Sequence, residues 1–199
     1  MARLIETYGA VEDVTPPPRP DLYSALLRAI TGQQLSVRAA SAIYGRLVER
    51  FGGRPPTPAE LLADEPEEMR TAAGLSHAKV ASLRSLAQHV LDGELEIQRL
   101  EALDDAEVTR ALVAVKGIGE WTAQMFLMFT LRRPDVVATG DLGIRNAAMR
   151  AYGLEKLPDA ATLTALAEPW RPYRTRACLH LWRSLDNIPL GAAGGAAQP

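Results

Sequence analysis

The chain has little of what several protein classes require. A single cysteine, Cys178, in 199 residues excludes an internal disulfide framework and any four-cysteine zinc or iron–sulfur site. No apolar run approaches the roughly 18 residues of a membrane span. The N-terminus lacks the basic-then-apolar layout of a secretory signal. A cytoplasmic protein with no membrane partner is therefore expected. Strand-period alternation appears nowhere over a useful length, so the expected class is all-α. The histidines, His77, His89 and His180, include no pair at ligand spacing, and Cys178 and His180 point to different helix faces, so no catalytic metal is expected. Lysine is also scarce, three against nineteen arginines. Arginine suits phosphate, but a compositional bias gives the same count.

What is present suits a globular chain of one domain or two small lobes. It is 47% hydrophobic and 23% charged, enough for a sizeable core. The net charge of −2 is unevenly spread: residues 52–107 hold five Arg/Lys against twelve Asp/Glu, and residues 132–185 hold nine against five. The acidic part can face water while the basic part faces a polyanion. Met1–Pro20 reads as a poorly specified arm ending in a Pro-rich segment that cannot be helical. Helices are predicted over about 21–30, 36–51, 58–63, 66–73, 76–91, 104–115, 120–131, 141–152, 159–168 and 170–185, from apolar periodicity and from caps such as Asp21, Ser36, Ser76, Asp104 and Asp141. Gly191–Pro199 has no periodicity and is expected to be disordered.

The chain's chemistry concentrates in Leu112–Asp141. Gly117-Ile118-Gly119 joins two helices, with Ile118 able to plug the gap between them. Amides of such a turn and of the following helix start can converge on an anion such as a DNA phosphate without reading sequence. Alone, these three residues fit an ordinary αα-hairpin better than a phosphate site. Asp141, behind Gly140, reads as an N-cap.

The wider stretch Leu112-x-x-Val115-Lys116-Gly117-Ile118-Gly119-x-x-Thr122-Ala123, with Asp141 standing 22 residues after Gly119, resembles the helix-hairpin-helix DNA glycosylase superfamily. Ala29–Val37 (AITGQQLSV) and Trp170–Trp182 (WRPYRTRACLHLW) resemble its alkylpurine branch, the 3-methyladenine DNA glycosylase II type. The likeness runs from about Asp21 to Leu185. It implies a two-lobed helical bundle with its active site in the cleft between lobes, one lobe about 35–131, the other from 21–34 and 132–185, between an arm (1–20) and a flexible tail (186–199). A minimal catalytic core without the N-terminal β domain of larger members is expected, acting as a monomer on double-stranded DNA with damaged bases and needing no cofactor.

The resemblance also implies roles. Asp141 is the expected catalytic carboxylate. Trp121 occupies the place of the lysine nucleophile of bifunctional members, which implies a monofunctional enzyme that leaves the DNA backbone intact. Trp121 and Trp182 are expected to wall the base pocket, together with Met125 and Leu142, where the family carries tyrosines. Gln34, with Gln33 beside it, is expected as the wedge that fills the gap left by a flipped base. Lys116, Gly117, Ile118, Gly119, Thr122, Arg145 and Arg174 are the expected phosphate ligands, although a solvated basic face accounts equally well for the two arginines. A monovalent cation on the backbone of Val115, Gly117 and Ile118 is a further implication. The alternative is a non-catalytic lesion-binding protein built on the same hairpin.

Overall fold

The computed structural model describes residues 1–11 and 21–186. Helices α1 (Ala2–Tyr8), α2 (Leu22–Gly32), α3 (Val37–Arg50), α4 (Pro58–Ala63), α5 (Pro66–Ala73) and α6 (His77–Leu91) come first. After them come α7 (Asp105–Val113), α8 (Glu120–Met125), α9 (Leu142–Tyr152), α10 (Ala160–Ala167) and α11 (Arg174–Asp186). Short 3-10 turns cover Ile97–Arg99 and Glu168–Trp170, and a π-helical turn covers Phe126–Thr130. Among the described residues there is no strand, and no helix is long and apolar enough to cross a membrane. The expected all-α class holds.

The chain divides into two compact units. Arg19–Leu131 forms one, the hairpin unit. Met1–Pro18 and Arg132–Pro199 form the other, the aspartate unit. The hairpin unit is built on the apolar stripes of α2, α3, α4 and α6, and Leu26, Leu27, Ile30, Leu47, Leu61, Leu83 and Leu86 are fully buried in it. Truncating any of these to Ala costs about 2–5 kcal/mol. The aspartate unit packs α11 against α9 and α1, around Ile144, Ala147, Ala148, Cys178 and Leu181.

Cap chemistry sets the helix starts. The side chains of Asp21, Ser36, Thr57, Ser76, Asp104, Asp141 and Asp159 each accept an amide from the first turn of the helix that follows, a device of about 1 kcal/mol each.

The structure differs from the sequence reading in four places. The 21–34 segment does not group with 132–185, because α2 buries its stripe on α3 and α6 of the hairpin unit. The N-terminal arm begins with α1, which buries no residue of its own and is held from α11, where Arg183 Nε donates to the Tyr8 carbonyl at 2.8 Å and Arg176 Nη2 to that of Val11 at 2.9 Å. The helix expected from Glu120 to Leu131 widens after Met125, where the Leu131 amide reaches back five residues to the Phe126 carbonyl at 3.0 Å. The last helix starts at Arg174 rather than Trp170, since Pro172 lacks the amide a helix interior needs. The Pro16–Pro20 and 187–199 readings lie outside the described residues.

Candidate active site and hairpin

In the hairpin unit, α7 and α8 are joined through a turn that only glycine permits. Gly117 has φ +84°, and a Cβ there would lie 2.0 Å from Ser82 Oγ on α6. The Lys116 amide donates to Ser85 Oγ, one turn further along α6, at 3.1 Å. Ile118 is 3% exposed and fills the gap between helices as expected. Its amide is used internally, donating to the Val115 carbonyl at 3.1 Å. Gly119 caps α8 in extended conformation with no side-chain hydrogen bond to the first turn. The helix thus opens with its dipole end uncapped by a side chain, beside the exposed Lys116. The Thr122 side chain is buried, so only its backbone remains for an anion. Gln33, expected at the wedge, is turned inward: Nε2 donates to the Gly117 carbonyl at 2.8 Å and to Thr122 Oγ1 at 3.4 Å. Gln34 is exposed, with φ +59°. Of the three carbonyls implied for a cation, those of Val115 and Gly117 already accept hydrogen bonds from the chain.

Trp121, in the first turn of α8, is 45% exposed. A tryptophan that merely served the core would be covered; this one presents ring surface. Met125, one turn later, is half-buried and shares its helix face.

In the aspartate unit, an extended segment leads into α9 and is fixed from α11. Thr175 Oγ1 donates to the Arg133 carbonyl at 2.6 Å and accepts from the Val136 amide at 3.0 Å, and the Thr175 amide donates to the Pro134 carbonyl at 3.0 Å. Arg174 grips Asp135, with Nε to Oδ1 at 2.6 Å and Nη2 to Oδ2 at 3.0 Å and to the backbone carbonyl at 2.8 Å. Burial opposes the charge on Asp135, but Arg174 and then Arg171 outweigh it and hold the carboxyl below its ordinary range. Arg174 is thus a structural clamp with its guanidinium spent inside the protein, and it leaves the expected phosphate set. Arg145 is half-buried and gives one N–H to the Pro158 carbonyl at 2.7 Å.

This scaffold delivers Asp141 to the start of α9. Its Oδ1 accepts two hydrogen bonds, from the Ile144 amide at 2.8 Å and from Trp182 Nε1 at 2.9 Å. Two donors of different origin, one backbone and one indole, fix the carboxylate plane. Gly143 leaves the pairing room: a Cβ there would stand 3.1 Å from Asp141 Oδ1 and 3.2 Å from Trp182 Nε1, closer than ordinary contact. The sequence reading missed this glycine, although a glycine in the first turn of an otherwise good helix is a visible signal. Leu142 beside it is 60% exposed. Cys178 is no nucleophile. Burial first, and the Asp141 charge after it, push its thiol up to about 11. Among the described residues no group of metal-binding side chains assembles.

Residues 27–172 match the HhH-GPD family, the superfamily of base-excision DNA repair proteins. The chain belongs to this superfamily. It is 35% identical over 184 residues to DNA-3-methyladenine glycosylase 1 of Schizosaccharomyces pombe, covering 92% of this chain and 80% of that protein. The structure of DNA-3-methyladenine glycosidase from Bacillus halodurans superposes with a TM-score of 0.76 at 40% identity, covering 86% of this chain and 78% of the other. The S. pombe 3-methyladenine DNA glycosylase, in complex with abasic DNA, gives a TM-score of 0.76 at 33% identity, covering 94% and 90%. This helix-hairpin-helix protein is accordingly an alkylbase DNA glycosylase of base-excision repair, a DNA-binding hydrolase of N-glycosyl bonds. The non-catalytic alternative is set aside.

Proposed function

We propose that the enzyme is monofunctional and releases alkylated purines, 3-methyladenine and 7-methylguanine foremost, by flipping them out of duplex DNA. The observation that carries this reading is the Asp141 carboxylate, oriented through one oxygen by the Ile144 amide and the Trp182 indole. Cleavage of an N-glycosyl bond builds positive charge at the anomeric carbon, which an oriented carboxylate stabilises. Asp141 also orients the attacking water and takes its proton. The bond from sugar to base breaks, the base carries away the bonding electrons, and water supplies the new C–O bond. An alkylated purine such as 3-methyladenine is already cationic, so it leaves without a general acid.

Trp121 favours the same substrates. An electron-rich ring prefers a cationic base to a neutral one through cation–π attraction, and the absence of a lysine at this position leaves no amine to form the covalent intermediate of a lyase. Met125 and Leu142 stand where the family carries tyrosines, so the side chains offered to the base are less aromatic. Exposed Gln34 fills the vacated stack, while the hairpin amides and Lys116 hold a phosphate. The test is incubation with methylated duplex DNA and with oligonucleotides carrying single lesions. Release of free 3-methyladenine and 7-methylguanine without strand cleavage is expected. Binding without release, or backbone cleavage, would overturn the reading.

A further inference from the structure

The loop between α2 and α3 is a strained turn. The Leu35 amide donates to the Gly32 carbonyl at 3.2 Å, Gln33 has φ −51° and ψ 133°, and Gln34 has φ +59°. This is a type II β-turn with glutamine at the third position, where the positive φ favours glycine or asparagine. A glutamine there persists only if its surroundings hold it.

The restraint falls on the residue before it. Gln33 Nε2 donates at 2.8 Å to the Gly117 carbonyl, 84 residues away in sequence, and at 3.4 Å to the buried Thr122 hydroxyl. On the other side of the turn, Lys79 Nζ on α6 donates to the Thr31 carbonyl at 2.8 Å. The same helix supports the hairpin through Ser82 and Ser85. The loop and the hairpin therefore share one wall, and Gln33 is the direct strut between them.

We propose that Gln33 is a positioning residue whose amide latches the strained turn to the hairpin, so that Gln34 is presented at a fixed distance from the turn that holds the phosphate. Gln33 itself does not enter the DNA. The proposal rests on the reading of Gln34 as the residue that fills the vacated stack. It explains why two adjacent glutamines are present: one is spent inside the protein to aim the other.

The experiment is single-turnover excision from methylated duplex DNA by the wild type, Gln33→Ala, Gln34→Ala and the double variant Gln33→Ala/Gln34→Ala, with thermal unfolding followed in parallel. Gln33→Ala is expected to excise about tenfold more slowly, the effect of one lost hydrogen bond, with little change in unfolding temperature. The latch acts only through Gln34, so Gln33→Ala should add little once Gln34 is already alanine. A Gln33→Ala rate equal to wild type, or an equal further loss from Gln33→Ala in the Gln34→Ala background, would overturn the latch. Absence of any release by the wild type would instead overturn the proposed function, so the two failures are distinguishable.

Discussion

The hairpin and the Asp141 turn are both short connections into a helix, yet they are held by opposite means. Around Gly117 the backbone itself is shaped, by a glycine that a Cβ would drive into Ser82, by an internal amide bond from Ile118 and by the Gln33 strut. Around Asp141 the backbone is ordinary and a side chain is held, through the Ile144 amide and the Trp182 indole. The two expected pocket tryptophans divide the same way. Trp121 is 45% exposed, whereas Trp182 has its N–H committed to the carboxylate. A turn that presents backbone amides binds any phosphate alike; an aimed carboxylate acts at one atom. Under the proposed function, the hairpin holds the DNA backbone and the aimed carboxylate carries the chemistry.

The largest expected effect is on chemistry. Asp141→Asn keeps the cap and the volume but removes the charge, and should slow base release by about a thousandfold or more, the scale of a lost charge-stabilising group, while duplex affinity measured by fluorescence anisotropy stays within about twofold. The complementary variant is Gly117→Ala. Its Cβ clash with Ser82 and its positive φ should lower the unfolding temperature and weaken duplex binding by about five- to thirtyfold, on the scale of the 1–2 kcal/mol that the left-handed region alone costs. The excision rate at saturating enzyme should fall by no more than the roughly tenfold that loss of the Gln33 bond to the same carbonyl would cause.

A smaller effect sharpens the role of Trp182. Trp182→Phe keeps an aromatic ring and removes the donor; Gly143→Ala keeps both groups and pushes them apart. Each should lower the single-turnover rate by about tenfold, the worth of one hydrogen bond to a charged group, without a matching change in the enzyme concentration giving half-maximal rate. If Trp182→Phe is silent and Gly143→Ala is not, Trp182 acts as a wall and not as a donor.

The smallest effect lies outside both regions. Burial, with Arg176 and Arg183 adding to it, holds His180 below the usual histidine range. The unfolded chain therefore takes up a proton near pH 6.5 that the folded chain refuses. Stability is complete above that pH and declines as pH falls through it. His180→Gln should flatten the unfolding temperature between about pH 7.5 and 5.5.

Local chemistry was readable from the sequence, and pairings across the chain were not. The helix from the Asp141 cap to Tyr152 has the expected ends, because the cap, the periodic apolar face and the closing Gly153 are all contiguous in sequence. So are the cues for the Ser36 and Ser76 starts. The hairpin was legible because its glycines and its plug are neighbours in sequence. Helix α1 was not, since it buries nothing itself and is held by arginines at 176 and 183. Nothing local announces Asp135, 39 residues from Arg174, so the sequence leaves Arg174 open between phosphate and a solvated face. Nothing local separates Gln33 from Gln34 either, because its partner Gly117 is 84 residues distant. The motif marked where function concentrates. Which of two adjacent glutamines, or of two tryptophans, faces inward depends on partners that only the fold brings close.

The most direct test measures two quantities for two variants on one methylated duplex: the dissociation constant and the excision rate at saturating enzyme, for Gly117→Ala and Asp141→Asn. Asp141→Asn is expected to lower the rate by about a thousandfold and spare binding, and Gly117→Ala to weaken binding with at most about a tenfold effect on the rate. Near-normal excision by Asp141→Asn, or binding and rate falling together in both variants, would contradict the division between a unit that holds DNA and a carboxylate that cuts the glycosyl bond.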